Sequence, residues 1–183
     1  MRVLLHVCCA VCGGYVIEQL KNEGHEVAIY FYNPNIFPVE EYERRLAEVR
    51  GYCNELGVEF IPCAYQHDDW LAAVNGYEKE PEGGKRCAIC FDYRLDNAMK
   101  MAVKLKCDAV ATTLTMGTQK PVDVINKIGT RLASENGLTF IDVVWRKNEG
   151  VKKANMIAGE KGFYRQNYCG CEFSINTNTA LSE

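Results

Sequence analysis

Seven of the ten cysteines in this chain fall into three short motifs: Cys8, Cys9 and Cys12; Cys87 and Cys90; Cys169 and Cys171. Cys9 and Cys12 form a C-x-x-C pair where an apolar run, Val3-Leu4-Leu5-His6-Val7, gives way to a helical pattern, and Cys8 is adjacent. Cys87 and Cys90 are three residues apart at a predicted helix start, so both sulfurs share a face. The free N–H groups and dipole of that helix end favour thiolate over thiol. Cys169 and Cys171 straddle Gly170, which permits same-side projection or a tight turn. A closed zinc site takes four ligands, and a [4Fe–4S] cluster takes four cysteines. Seven thiols exceed four, so the surplus can hold a second metal or shuttle electrons between dithiol and disulfide. An all-sulfur donor set suits iron–sulfur chemistry over the oxygen-preferring metals. Cys53, Cys63 and Cys107 lie singly on apolar patterns and read as core thiols.

The compartment decides how such thiols behave. Met1-Arg2 leads directly into a strand without the shape of a signal peptide, and no apolar run approaches the roughly 20 residues of a membrane span. The expected location is the cytoplasm, where thiols stay reduced and C-x-x-C spacings point to metal or redox chemistry. A net charge of −3 gives no general nucleic-acid signal. Residues 146–165 are nonetheless locally basic, with Arg146, Lys147, Lys152, Lys153, Lys161 and Arg165 against Glu149 and Glu160. That stretch is either a solvated helix face or a phosphate-binding patch.

The elements that must position the thiols alternate between strand and helix. Strands are expected at 2–7, 27–32, 58–62, 108–111 and 138–145, the first buried on both faces. Helices are expected at about 14–23, 40–56, 68–74, 87–106, 122–134 and 153–158. His6, inside the first strand, reads as a satisfied core residue. The pattern predicts an α/β fold: one domain over residues 1–174 with a five-stranded, mostly parallel sheet, helices on both faces, and a polar tail at 175–183. Such sheets bind ligands beyond the carboxyl ends of their strands. Two connections leave that edge, and a third loop feeds Cys87 beside it. Residues 31–38 combine aromatic rings with Asn33 and Asn35, residues 112–118 are rich in hydroxyls, and the charged, Gly/Pro-rich 76–86 loop is expected to be a mobile lid.

Together, His6-Val7-Cys8-Cys9-Ala10-Val11-Cys12, Tyr32-Asn33-Pro34-Asn35-Ile36 with Glu41-Tyr42 and Arg45, Glu82-Gly83-Gly84-Lys85-Arg86-Cys87-Ala88-Ile89-Cys90-Phe91, and Tyr164-Arg165-Gln166-Asn167-Tyr168-Cys169-Gly170-Cys171 resemble the cobalamin-independent epoxyqueuosine reductase family, QueH. The resemblance runs to about Ser174. It departs at Val11, where the family usually has Pro, and at Met116-Gly117, where Ser-Pro is expected before Lys120. It implies a Rossmann-like fold of the adenine nucleotide α-hydrolase type without the ATP loop. The implied reaction is the two-electron reduction of the epoxide of epoxyqueuosine, at the wobble position of tRNA, to the alkene of queuosine. Carried over by position, Cys8, Cys9, Cys87 and Cys90 are the implied ligands of a [4Fe–4S] cluster. Cys12, Cys169 and Cys171 are the implied catalytic thiols, forming a redox pair or holding a second iron ion that acts on the epoxide oxygen as a Lewis acid, and spacing equally allows Cys12 to join the cluster ligands. Asn33, Asn35, Lys120, Arg165 and Tyr168 are the expected substrate contacts. Phe31, Tyr32 or Phe37 would stack on bases, and Lys152, Lys153 or Arg165 would meet phosphate. Tyr168, Asp68 and Asp69 are candidate acids, and electrons would come from a donor such as a ferredoxin or flavodoxin. Two rival readings are an iron–sulfur tRNA sulfur transferase and a zinc-stabilised RNA-binding module.

Overall fold

The computed structural model describes residues 1–175; all of the expected polar tail but Ile175 lies outside them. Five strands, β1 (Arg2–His6), β2 (Glu26–Phe31), β3 (Glu59–Pro62), β4 (Ala109–Thr112) and β5 (Thr139–Phe140), form one sheet in the order β3-β2-β1-β4-β5. Every neighbouring pair is parallel. The two-residue period of a strand assigns each side chain of β1 to a layer. Val3, Leu5 and Val7 pack with α1 (Ala10–Asn22), α2 (Val39–Leu56) and α6 (Gly150–Lys161). Leu4, on the opposite face, packs with α4 (Lys85–Lys104) and α5 (Val122–Glu135). Burial on both faces is why that run lacks polar alternation.

From β1 the chain winds to β2 and β3 on one side, and later to β4 and β5 on the other. The ends of β1 and β4 therefore flank the topological switch point, where a crevice opens. Cys8 follows β1 and Thr113 follows β4, so both reach that crevice.

Three boundaries differ from the sequence pattern. The first helix begins at Ala10, with extended Cys9 as its N-cap and the Gly13 N–H bonded to the Cys9 carbonyl at 2.9 Å. Gly13 and Gly14 thus belong to the first turns of α1, and a Cβ on Gly13 would stand 2.9 Å from Val7 Cγ1. The expected 138–145 strand keeps only Thr139–Phe140. The Ile141 N–H still bonds to Val110 O at 2.9 Å, but the pairing stops there, and β4 itself ends at Thr112 before the 3₁₀ turn Thr113–Met116. The Thr115 hydroxyl holds the following segment instead, donating to Val143 O at 2.8 Å. Finally, α6 is longer than the expected 153–158, running from Gly150 to Lys161.

Among the described residues, no helix is long and apolar enough to cross a membrane.

Candidate active site

The strand-to-helix turn after β1 collects three sulfurs. The ligand atoms of Cys8, Cys9 and Cys12 all lie within 4.8 Å of one another, with Cys8 and Cys9 Sγ 3.8 Å apart. Cys9 ends the strand as N-cap, while Cys12 sits one turn into α1 and comes back beside it. Because the helix starts at Ala10, Cys12 joins Cys8 and Cys9 in space. Cys87 and Cys90, on the first turns of α4, stand outside that compact group.

Electrostatics favour one thiolate in the trio. Hydrogen bonds from Cys12 and Cys9 outweigh burial and hold Cys8 well below the usual thiol range, helped by Thr113 and the charge of Arg94. Cys12 is driven well above that range by its bonds to Cys8 and Cys9 and by burial. At Cys9 the bond from Cys12 pulls downward, but its own bond to Cys8 and its burial prevail and push the thiol up to about 12. One negative charge shared by three close sulfurs is a cation-binding arrangement. Gln166 adds an amide N–H to Cys9 Sγ at 2.9 Å, and the Thr113 hydroxyl donates to Cys8 Sγ at 3.5 Å.

A cavity of about 270 Å³ opens beside the trio, lined by Cys8, Cys12 and Thr113 from the switch point, Lys120 from the following loop, and Gln166 and Cys169 from the C-terminal motif. Gly170, at φ +124°, separates two differently placed thiols. Cys169 faces the cavity and accepts a bond from Lys120 Nζ at 2.9 Å. Cys171 is buried against Trp70, Val74 and Cys90. Cys87 lies close enough to Cys169 and Cys171 that, after burial, their charges help raise its thiol. The first and third motifs thus share one cavity through Cys8, Cys12 and Cys169, while Cys87 and Cys90 approach only the C-terminal motif and do not line the cavity; all ten cysteines are free thiols.

Buried cations hold this arrangement. Arg45, paired with Glu41 at 2.7 Å, donates to Cys169 O at 3.3 Å and fixes the C-terminal motif. Arg94 is 2% exposed and has no carboxylate partner among the described residues. It bonds Asn33 Oδ1, whose Nδ2 donates to Val7 O at 2.8 Å. A buried guanidinium without a carboxylate is costly unless other negative charge offsets it, and the thiolate site supplies that charge.

Of the expected substrate contacts, Lys120 and Tyr168 line the cavity. Asn33 and Asn35 are buried, and Asn33 has both ends of its amide engaged, so it braces the wall from behind. Arg165 is exposed, donates to Asn155 O at 3.1 Å and does not line the cavity. The basic stretch is largely committed elsewhere. Lys152 and Lys161 pair with Glu149 and Glu55, and Arg146 donates to Gly117, Thr118 and Lys120 carbonyls, stapling the loop that carries Lys120.

Among the rings expected to stack on bases, Phe31 and Tyr32 are buried, whereas Phe37 is 39% exposed. Asp68 and Asp69 lie on α3 (His67–Val74), away from the cavity lining. The Tyr168 hydroxyl donates to Phe37 O at 2.5 Å, and burial followed by the charge of Glu41 pushes its phenol up to about 12. Residues 76–84 are tied down rather than loose, since the Arg86 guanidinium donates to the carbonyls of Tyr77, Glu78 and Glu80.

His6 is the core residue its setting suggested. Nε2 donates to Tyr32 O at 3.1 Å, and Nδ1 accepts from the Thr112 hydroxyl at 2.9 Å. Sequence reasoning missed Arg94 and the roles of Gln166 and Thr113. Arg94, four residues after Cys90 and so on its helix face, carried the one usable signal.

Comparisons with known proteins identify the family. A family model described as "Epoxyqueuosine reductase QueH" matches residues 3–177. The epoxyqueuosine reductase QueH of Acinetobacter baylyi is 39% identical over 175 residues, covering 95% of this chain and 80% of that protein. The Haemophilus influenzae protein of the same description is 37% identical over 183 residues, covering 100% of this chain and 75% of its own. Among solved structures, the U34-tRNA thiolase NcsA from Methanococcus maripaludis, described with its [4Fe-4S] cluster, superposes with a TM-score of 0.55 at 14% identity. That match covers 98% of this chain and 63% of the thiolase, and it establishes a shared α/β fold.

Proposed function

The chain belongs to the epoxyqueuosine reductase QueH family and is an oxidoreductase of that class, and from this premise we propose that it removes the epoxide oxygen of epoxyqueuosine at the wobble position of tRNA, leaving the alkene of queuosine. Two electrons and two protons are consumed, both C–O bonds break, and the oxygen leaves as water. The observation that carries the reading is that Cys8, Cys12 and Cys169, from the two ends of the chain, line one cavity, with Cys90 packed against Cys171 of the same C-terminal motif.

The donor set fits a soft metal centre: three sulfurs within 4.8 Å of one another and a buried arginine to offset anionic charge. We assign Cys8, Cys9, Cys87 and Cys90 as ligands of a [4Fe–4S] cluster, with Cys12 placed to replace one of the α4 thiols. When bound, such a cluster supplies electrons one at a time, at a potential set by hydrogen bonds to its sulfurs. Gln166 is placed to make one of those bonds.

The remaining work falls to the chain itself. Cys169 and Cys171 provide the second redox store, as a dithiol that becomes a disulfide or as ligands of a second iron ion. Lys120 Nζ donates to Cys169 Sγ at 2.9 Å, and although burial opposes its charge, the interaction with that sulfur raises Lys120 above its ordinary value. Its ammonium is then a cavity-lining donor placed to give a proton to the departing oxygen. Tyr168 closes the cavity wall through its bond to Phe37 O. Proteins read RNA loops through unstacked nucleosides, and Asn167 and the Tyr168 ring in the cavity lining are the groups that would meet one. A reducing compartment such as the cytoplasm would keep the ten thiols in this state.

The test is anaerobic purification with iron and sulfide analysis, then incubation with epoxyqueuosine tRNA and reduced ferredoxin or flavodoxin. Loss of one oxygen from the nucleoside by mass spectrometry is expected. Zinc in place of iron and sulfide, or an unaltered nucleoside, would refute the reading. Unchanged turnover in Cys169→Ser with its metal retained would remove the second redox store.

A further inference from the structure

A second cavity, of about 440 Å³, lies on the other side of the Tyr168–Phe37 contact, with Phe37, Tyr65 and His67 forming its aromatic wall and Glu40 and Asp68 its rim. The rings are prearranged. Phe37 stacks on His67 with centroids 5.4 Å apart, and His67 stacks on Tyr65 at 5.6 Å. Each is anchored at its polar end or backbone. His67 contacts Pro34 O at 2.7 Å and Glu172 at 3.1 Å, Tyr65 donates to Ile36 O at 2.6 Å, and the Phe37 N–H donates to Gly170 O at 2.8 Å. Phe37 ends this ladder and remains 39% exposed, so a planar group can extend the stack without ordering a loose side chain.

The rim selects the kind of planar group. Glu40 and Asp68 are exposed and form no ion pair among the described residues. Burial first, then the charges of Glu172, Asp68 and Glu40, raises the Tyr65 phenol, so the local field is negative. A phosphate is repelled there, whereas the N–H edge of a base finds acceptors. Continuity with the active site comes through Tyr168, which lines the thiol cavity while its hydroxyl holds Phe37 O.

We propose that this cavity seats an unpaired nucleobase of the RNA substrate adjoining the reacting nucleoside, stacked on Phe37 with an N–H edge toward Glu40 and Asp68. The assignment rests on the RNA substrate proposed above and extends it from one nucleoside to two.

The probe is a fluorescein-labelled anticodon stem-loop hairpin, titrated into metal-loaded protein at fixed salt and followed by anisotropy. Phe37→Leu is expected to weaken binding about tenfold, the scale of one base–aromatic stack, and Phe37→Trp to keep it within about threefold. An abasic site next to the wobble position should cost the wild type a similar factor but add little to Phe37→Leu, because the two changes remove the same contact. Guanosine there, whose N1–H and N2–H₂ donate side by side to a carboxylate, should bind about fivefold tighter than uridine, adenosine or cytidine, whose single donor is flanked by an acceptor, and Glu40→Gln with Asp68→Asn should erase the preference. Equal affinity of Phe37→Leu and wild type overturns the inference, as does a base preference that survives loss of both carboxylates. If these fail while the wild type still reduces the epoxide in tRNA, only the second base site falls; if the wild type leaves the epoxide intact, the functional reading falls with it.

Discussion

Replacing Lys120 by Met keeps much of the side-chain volume and removes the ammonium that sits 2.9 Å from Cys169 Sγ. A hydrogen bond involving an ionised group contributes about 1.5–3 kcal/mol. At 1.36 kcal/mol per factor of ten, losing it lowers the reactivity of Cys169 by about 10- to 150-fold. Iodoacetamide labelling of the metal-loaded protein, with Cys169 followed by peptide mass spectrometry, measures that change directly. Single-turnover reduction of epoxyqueuosine tRNA should fall by at least the same factor, because the variant also lacks the proposed proton donor. Lys120→Arg should restore labelling more than turnover, since guanidinium keeps the charge but gives up its proton far less readily. Labelling and turnover both within threefold of wild type in Lys120→Met would refute the coupling of Lys120 to Cys169.

Three further outcomes follow from the same structure. Gln166→Leu removes the N–H donated to Cys9; a bond of about 1 kcal/mol corresponds to about 40 mV for one electron, so potentiometry of the metal-loaded variant should find the midpoint lowered by that amount. Gly129→Ala would place a Cβ 2.3 Å from the Phe140 ring where α5 meets β5, an overpacking cost of about 1–3 kcal/mol. Its Tm should fall by about 2–10 °C, and an unchanged melt would contradict the packing there. Burial, then the charge of Arg94, pushes His6 down to about 3 from 6.5. The unfolded chain therefore binds a proton that the folded one refuses, and stability is full above pH 6.5 and lost as pH falls toward 3. In metal-free protein, the unfolding free energy from urea melts should drop with acid by up to about 1.4 kcal/mol per pH unit more for wild type than for His6→Gln; parallel profiles would disprove it.

Some of this protein was legible from residue order alone. The doubly apolar run 3–7 can only be a central strand, because both faces of its pleat must be covered, and helices do cover both. The motif cysteines could be separated from Cys53, which sits on an apolar helical stripe in the core. Local spacing carries such information because a strand or helix repeats over a few residues. What it could not carry is the company each side chain keeps across the fold. Asn33 looked like a ligand contact because amides often are, yet Arg94, 61 residues away, and Val7 O take up both its ends. Cys12 joined Cys8 and Cys9 only because α1 begins at Ala10, a start made possible by the close approach of Gly13 to Val7. The meeting of Cys169 with Lys120, and of Gln166 with Cys9 across 157 residues, depends on strand order and on the Arg45 bonds that hold the C-terminal motif. Chemistry at a switch point is assembled from the ends of non-adjacent strands, and their proximity is a property of the packed sheet that no single segment encodes.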